Sequence, residues 1–528
     1  MTKRKVQIWL PVWFAIMMII GMAIGYKLKE NTSGNSFFST GKRSPVQEVI
    51  DLINRKYVDE IGTDTIADKV LDNLLNELDP HSVYIPAAQL ASANEDIRGN
   101  FEGIGIEFQM IKDTLHVLNV IENGPSKKAG LLVGDKLVAV NDTSKIAGVN
   151  IQADEIRKLL RGPGGSVVKV TLIRNNNTKN FNITRGTIPL PSVDAAYMIT
   201  PTTGFIHINK FAESTYVEFM IALEKLQKLG MKEMILDLRG NGGGLLAKAV
   251  DIADEFLSDN KMIVFTKGAN VPTYDYRCKR DGLFEEGKLT VLIDESSASA
   301  SEVLAGALQD WDRATIVGRR SFGKGLVQEQ FTLSNGGGLR LTIARYYTPL
   351  GRNIQKSYTN GEKNYQQEVY ERYQNGELVH GDTTKQKGQA YKTPKGKTVY
   401  GGGGITPDVF VALDTTEVEP SLRKLFTRNT LSNFVYLWSV DNKLQLSTFK
   451  NAAAFNEKFV VNNEFIQQLK SYAAKDSIAL GNLNASAEEK LKQRMKQLLA
   501  RQIWSVQGFY EISNAKDPII KAALLQLR

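Results

Sequence analysis

The chain has 528 residues, 42% hydrophobic and 23% charged, with 66 basic and 57 acidic side chains and a net charge of +9. That balance excludes a disordered or multi-span membrane protein, and the length predicts several folded units. The basic excess is spread thinly, with no long Lys/Arg run and no nucleic-acid-binding signature, so no nucleic-acid partner is expected. A single cysteine, Cys278, rules out an internal disulfide and a Cys-rich zinc site.

In chain order, Lys3, Arg4 and Lys5 precede an uncharged, mostly apolar run from Val6 to Tyr26. A helix of about 20 apolar residues crosses a bilayer. The basic cluster on the short side predicts a cytoplasmic N-terminus and an exported remainder. The expectation is a single-pass anchor in a bacterial inner membrane with the rest of the chain in the periplasm. Ala23-Ile24-Gly25 also has the small residues of a cleavage site, so residues 1–26 are assigned as anchor or signal. Residues 27–43 read as a Ser/Gly/Asn-rich linker. Apolar residues then recur at helical spacing, Val46, Val49, Ile50, Ile53 and Tyr57, and again from Ile66 to Leu75. This helical region, 44–98, includes the turn signal Leu78-Asp79-Pro80-His81-Ser82.

A second unit, 99–185, opens on Phe101-Glu102-Gly103-Ile104-Gly105-Ile106. Strand patterns at Leu115–Val120 and Val168–Ile173 enclose a short helix near Ala129 and a longer one at Ala153–Leu160. That order, with Ala129-Gly130-Leu131-Leu132-Val133-Gly134-Asp135 followed by Val140-Asn141, resembles a PDZ domain. PDZ domains add a peptide C-terminus as an extra strand and capture its carboxylate with backbone amides. The resemblance makes Gly103, Ile104, Gly105 and Ile106 the peptide-binding loop.

From 186 to 414, apolar runs at Gly204–Ile208, Met234–Leu238, Leu289–Asp294 and Thr315–Val317 have the look of buried strands. They alternate with helical patterns at Tyr216–Leu229 and Ala300–Gln309, which predicts an α/β core. The polar stretch 356–397 reads as an extended hairpin or loop, and 415–528 as a helical extension with a strong helix at Glu488–Arg501.

Three segments of the core carry chemistry. Ser297-Ala298-Ser299-Ala300-Ser301-Glu302 stands where a strand gives way to a helix, whose first amides can donate to an oxyanion. Serines at that place are usually caps, so the cluster alone decides nothing. Ser321-Phe322-Gly323-Lys324-Gly325 offers a lysine that could serve as a base if desolvation lowered its pKa. Phe322, Leu326 and Val327 flank it. Gly318 and Gly323-Lys324 also fit the start of a P-loop, but Gly325 stands where that motif needs Ser or Thr. Finally, Asp237-Leu238-Arg239-Gly240-Asn241-Gly242-Gly243-Gly244 exposes backbone amides after a strand. The four histidines, His81, His116, His207 and His380, sit in turn, strand or loop patterns that leave a Ser-His-Asp triad poorly supported.

Together with Ala344-Arg345-Tyr346-Tyr347-Thr348-Pro349 and Gly403-Gly404-Ile405-Thr406-Pro407-Asp408, these segments resemble the carboxyl-terminal processing peptidases, or tail-specific proteases, from about Val46 to Val409. In that family the middle serine of the Ser-Ala-Ser-Ala-Ser run is the nucleophile and the lysine of Phe-Gly-Lys-Gly the base. Ser299 and Lys324 stand 25 positions apart, the family's spacing. The resemblance further implies Gln328 as the residue orienting the lysine, an oxyanion hole from Ala300, Gly242 and Gly243, and a recurrent aspartate at Asp310. It implies a crotonase/Clp-like α/β core with a PDZ domain inserted before it, no metal and no organic cofactor. Substrates would be exported polypeptides with exposed apolar C-termini, and an adaptor or activator protein and a homo-oligomer remain open. The alternative from another class is a catalytically inactive membrane-anchored PDZ scaffold.

Overall fold

The computed structural model describes residues 9, 11–22, 45–59, 63–359, 361–381, 388–415, 419–481 and 483–528. They fall into two compact units, 1–70 and 71–528. Within the predicted anchor, residues 11–22 are helical, and the rest of Val6–Tyr26 apart from Trp9 lies outside the described residues, as does the linker 27–43. No helix among the described residues is long and apolar enough to cross a membrane. The two predicted amphipathic helices are Pro45–Lys56 and Thr63–Asn76.

A six-stranded sheet organises the larger unit. Its spatial order is Val193–Met198, Thr203–Ile208, Glu233–Asp237, Leu289–Ile293, Thr315–Gly318 and Val409–Phe410. The first pair is antiparallel and the others are parallel. Parallel neighbours need crossovers, supplied by the helices Thr215–Lys228, Leu246–Ala253 and Ala300–Asp310. Every residue of Thr203–Ile208 and Leu289–Ile293 is buried, which is why both read as unbroken apolar runs rather than as alternation. Phe219, Leu223, Leu304 and Leu308 fill one face of the sheet. The opposite face is covered by the last helix, Pro518–Leu527, whose Ile519, Ile520 and Ala523 pack on Phe205, Ile235 and Leu292. The final segment is therefore part of the core and not only an appendage to it.

A second sheet joins Val83–Ile85, Gly338–Tyr347, Met262–Lys267 and Tyr274–Arg277, with Leu326–Thr332 paired to Gly338–Tyr347 as a hairpin. The PDZ domain forms its own sheet in the order Ile106–Ile111, Thr114–Val120, Lys136–Val140, Val167–Arg174 and Asn177–Thr184. Its entering and leaving strands, Asn100–Gly103 and Gly186–Pro189, pair with each other, so the insertion starts and ends at one neck.

One expectation fails. The stretch 356–397 is not simply a hairpin or loop: it holds the helices Glu362–Gln374 and Glu377–His380 before a short hairpin, Ala390–Lys392 with Thr398–Tyr400. The longer helix has no apolar stripe because its only buried side chains are Tyr365 and Arg372. The buried Arg372 pairs there with the half-buried Glu368, which also binds Lys356 and Arg320. The smaller helix likewise removes His380 from the predicted loop.

Ile520 is 1% exposed in the core under the sheet, and Ile520→Ala should cost about 2–5 kcal/mol. Thermal unfolding should register that loss in the protease core, whereas an unchanged melting temperature would mean that the last helix is not part of it.

Candidate active site

The sheet delivers two loops to one place. The strand Glu233–Asp237 runs into the glycine-rich loop, and Leu289–Ile293 runs into the serine segment at the head of the helix Ala300–Asp310. The three serines divide their tasks. Ser297 Oγ donates to the Leu238 carbonyl at 2.8 Å and Ser301 Oγ to that of Asn241 at 2.9 Å, so both outer serines fasten the segment to the glycine loop. Ser299, between them, lines an open cavity of about 580 Å³ with Ala300, Gly242, Lys324 and Gln328. Its backbone is at φ 54°, ψ −114°, a region that costs a non-glycine residue of order 1–3 kcal/mol and survives only when its surroundings hold it.

Glu302 does the holding. It is fully buried, one turn into the helix. One carboxylate oxygen accepts the Ser299 N–H at 2.9 Å and the Lys324 N–H at 2.8 Å. The other accepts the Ser321 hydroxyl at 2.5 Å and the Gly323 N–H at 2.7 Å. Burial pushes its pKa up, while these four donors pull the other way. A single carboxylate thus ties the serine segment to the lysine segment.

Lys324 stands at the entrance to the Leu326–Thr332 hairpin strand, and its Nζ donates to Gln328 Oε1 at 3.0 Å. Gln328 in turn donates to the His81 carbonyl, which explains the place of the Leu78–Ser82 turn. Asp79 pins that turn by accepting the His81 and Ser82 amides and the Ser82 hydroxyl. The Lys324 ammonium lies below the ordinary lysine pKa, first because it is desolvated and second because Arg340 is near. Asp79 and Glu302 oppose the shift. Leu326 and Val327 share its cavity, as expected, but Phe322 does not. Its ring instead carries the Lys356 ammonium, 3.7 Å from the centroid.

The Ala300 and Gly242 N–H groups donate to no protein acceptor among the described residues. Gly243 differs: its N–H donates to Asn241 Oδ1 at 2.8 Å, so it is not free to stabilise an oxyanion. Its glycine is needed for approach, since a Cβ there would lie 2.7 Å from both the Ala298 carbonyl and Ser299 Cβ. Asp310 is structural, accepting the Leu350 N–H at 3.0 Å beside Arg352.

Sequence reasoning missed Tyr346, whose buried hydroxyl donates to the Lys324 carbonyl and also bonds Ser299. It missed the Asp237–Arg239–Asp517 ion-pair chain as well, which fastens the last helix beside the glycine loop. Tyr346 stands in the Ala344–Pro349 motif and Asp237 and Arg239 in the Asp237–Gly244 motif, whereas Asp517 carries no sequence signal. His207 is no triad member: Asp194 binds its Nδ1, and Tyr510 and the Arg239 carbonyl occupy Nε2. In the PDZ loop the carbonyls are tied, Ile104 to the Ser126 N–H and Gly105 to that of Ile121. The Ile104 and Gly105 amides donate to no acceptor among the described residues.

A helix-headed serine lining one cavity with a desolvated lysine and free amides, on an α/β core carrying a PDZ domain, has the makings of a serine peptidase. Comparison with known proteins agrees. Residues 202–363 match peptidase family S41, residues 103–184 match the PDZ domain, and residues 421–505 match a family of unknown function. A carboxy-terminal-processing protease of Bartonella bacilliformis is 34% identical over 345 residues, 64% of this chain and 78% of the relative. A protein of Staphylococcus aureus named "Probable CtpA-like serine protease" is 33% identical over 67% of this chain and 72% of its own. A solved photosystem II D1 C-terminal processing protease is 26% identical, covering 71% of this chain and 89% of its own with a TM-score of 0.36. The chain belongs to peptidase family S41, and it is a serine endopeptidase of the carboxy-terminal-processing type with a PDZ domain.

Glu302→Gln keeps the shape but turns two acceptors into one acceptor and one donor, leaving N–H or O–H groups facing an NH₂. An unsatisfied buried group costs about 1–3 kcal/mol, so peptide hydrolysis should fall at least tenfold while the far-ultraviolet circular dichroism stays native. Wild-type turnover in this variant would mean that the carboxylate does not position the site.

Proposed function

We propose that Ser299 and Lys324 form a catalytic dyad that cleaves exported polypeptides whose C-terminal tails are read by the PDZ domain. The observation that carries the reading is Glu302, whose one oxygen accepts both the Ser299 and the Lys324 N–H. Neutral Lys324 removes the Ser299 Oγ proton as the oxygen attacks the scissile carbonyl. The tetrahedral oxyanion is met by the Ala300 and Gly242 amides. On collapse the C–N bond breaks, Lys324 returns the proton to the leaving amine, and an acyl-enzyme remains on Ser299. Water, deprotonated by the same lysine, then releases the new carboxyl terminus. Gln328 accepts from Lys324 and keeps its amine directed into the cavity. No step calls for a metal or cofactor.

The free amides of the Gly103–Ile106 loop support recognition of a terminal carboxylate, and the open edge of Ile106–Ile111 supports strand addition. Asn94, Ile97 and Arg98, just before the PDZ neck, line the Ser299 cavity, so a tail held by the PDZ domain has a short route to the serine. The basic residues before the Val6–Tyr26 run support a single-pass anchor with the catalytic part in the periplasm. The crotonase/Clp-like kinship of the core belongs to the same reading. An inactive scaffold would have no use for a desolvated lysine beside free amides.

The full chain should degrade an unstructured reporter with an apolar C-terminus, and Ser299→Ala and Lys324→Ala should each lose that activity. Since only the neutral amine is a base, activity should rise with pH, with a midpoint below the ordinary lysine value of 10.5. Lys324→Arg should stay inactive at every pH, because a guanidinium does not deprotonate. Activity persisting in Lys324→Ala would assign the base elsewhere.

A further inference from the structure

A cavity of about 670 Å³ lies apart from Ser299, between the PDZ domain and the C-terminal helices. On one side it is bounded by Ile106, Glu107, Phe108 and Gln109, consecutive residues of the PDZ edge strand. On the other stand Arg494, Arg501 and the Trp504–Ser505 kink of the long helix Ala485–Asn514. The two walls are fastened to each other. The Tyr436 hydroxyl, on the helix Thr430–Asp441, donates to the Val117 carbonyl at 3.0 Å, and its ring meets His116 edge-on at 5.8 Å. Val117 and His116 belong to Thr114–Val120, the strand paired with Ile106–Ile111, so the C-terminal helices are fixed beside the strand to which a peptide would add.

The cavity's charge is lopsided. Arg157, Arg494 and Arg501 line it against a single carboxylate, Glu107. Arg157 is paired with Asp154, and Arg501 approaches Glu107 at 3.8 Å. Arg494 has no carboxylate partner among the described residues; it donates to Gln497 Oε1 and stacks on Phe509. Burial and the neighbouring Arg501 both lower its pKa, the mark of a cation short of counter-charge. A neutral wall would suffice to bury apolar tail residues. Two arginines beside an edge strand suit an anionic segment lying along it.

We propose that the C-terminal helices form the second wall of the tail-binding groove, so that Arg494 and Arg501 select substrates carrying acidic residues just upstream of their C-terminus. The proposal rests on the PDZ reading above. An extended tail pairing with Ile106–Ile111 leaves its carboxylate at the Gly103–Ile106 loop and runs upstream past Phe108, which brings its acidic side chains to the two arginines. This gives the region matching a family of unknown function a role: it adds side-chain selection to a site that otherwise reads backbone and carboxylate.

The test uses full-length Ser299→Ala protein in detergent, which holds peptides without cleaving them, and fluorescence anisotropy with synthetic decapeptides. One peptide carries two Asp upstream of an apolar C-terminal residue, and its match carries two Ser. The double variant Arg494→Ser/Arg501→Ser should weaken binding of the acidic peptide about tenfold, the scale of one or two charge-assisted hydrogen bonds, and leave the Ser peptide within about twofold. Arg501 is half exposed, so Arg501→Glu alone is a variant without a packing penalty, and it should favour a peptide with two Lys at the same positions. Equal loss for acidic and neutral peptides, or no loss for either, would overturn the proposal. Amidated peptides separate the two claims. If amidation leaves affinity unchanged, the carboxylate reading fails, and the arginine arm still decides whether the groove is composite.

Discussion

The site depends on one buried carboxylate. Each Glu302 oxygen accepts from two donors, and those donors come from the serine segment and the lysine segment. Placing a charge in a fully buried position is costly unless every acceptor site is used. Here it is used, and the desolvated carboxylate becomes a rigid joint. Because three of the four donors are backbone amides, the joint fixes main-chain position at Ser299 and Lys324 without engaging the Lys324 amine or the Ser299 hydroxyl.

Other features follow from that joint. The left-handed, strained backbone of Ser299 is held in place by Glu302 from one side and by the glycine loop from the other. Gly243 lacks a side chain because the loop passes within contact of Ser299, and its amide is used internally, which leaves Gly242 and Ala300 as the free donors. Lys324 owes its lowered pKa to burial beneath the hairpin. Its direction is set by Gln328, which is anchored in turn to the turn that Asp79 caps. The network reaches the C-terminus through Asp517, which pairs with Arg239 at the root of the glycine loop.

Much of this was legible in the sequence, for identifiable reasons. Buried parallel strands such as Leu289–Ile293 announce themselves as unbroken apolar runs, and the PDZ elements by glycine placement and alternation. Ser299, Lys324 and Gln328, which the structure brings to one cavity, stood out because their motifs are short and their spacing distinctive. What escaped was whatever relies on long-range polar contact. The helix Glu362–Gln374 buries only Tyr365 and Arg372, with no aliphatic side chain, so it has no apolar periodicity to read. Gly243 looked like a donor because a sequence cannot reveal that Asn241 takes its amide. The covering of the sheet by Ile519 and Ile520 was hidden because a short apolar helix does not say which face it seeks.

The C-terminal helices touch both the PDZ sheet, through Tyr436 on Val117, and the root of the glycine loop, through Asp517 on Arg239. At the centre remains the carboxylate joint, and a crystal structure of Glu302→Gln measures it most directly. The account predicts an intact six-stranded sheet in which the Ser321–Lys324 segment has withdrawn from Ser299 and Ser299 has relaxed from its positive φ. Both segments standing unmoved, with Ser299 still at positive φ, would contradict it.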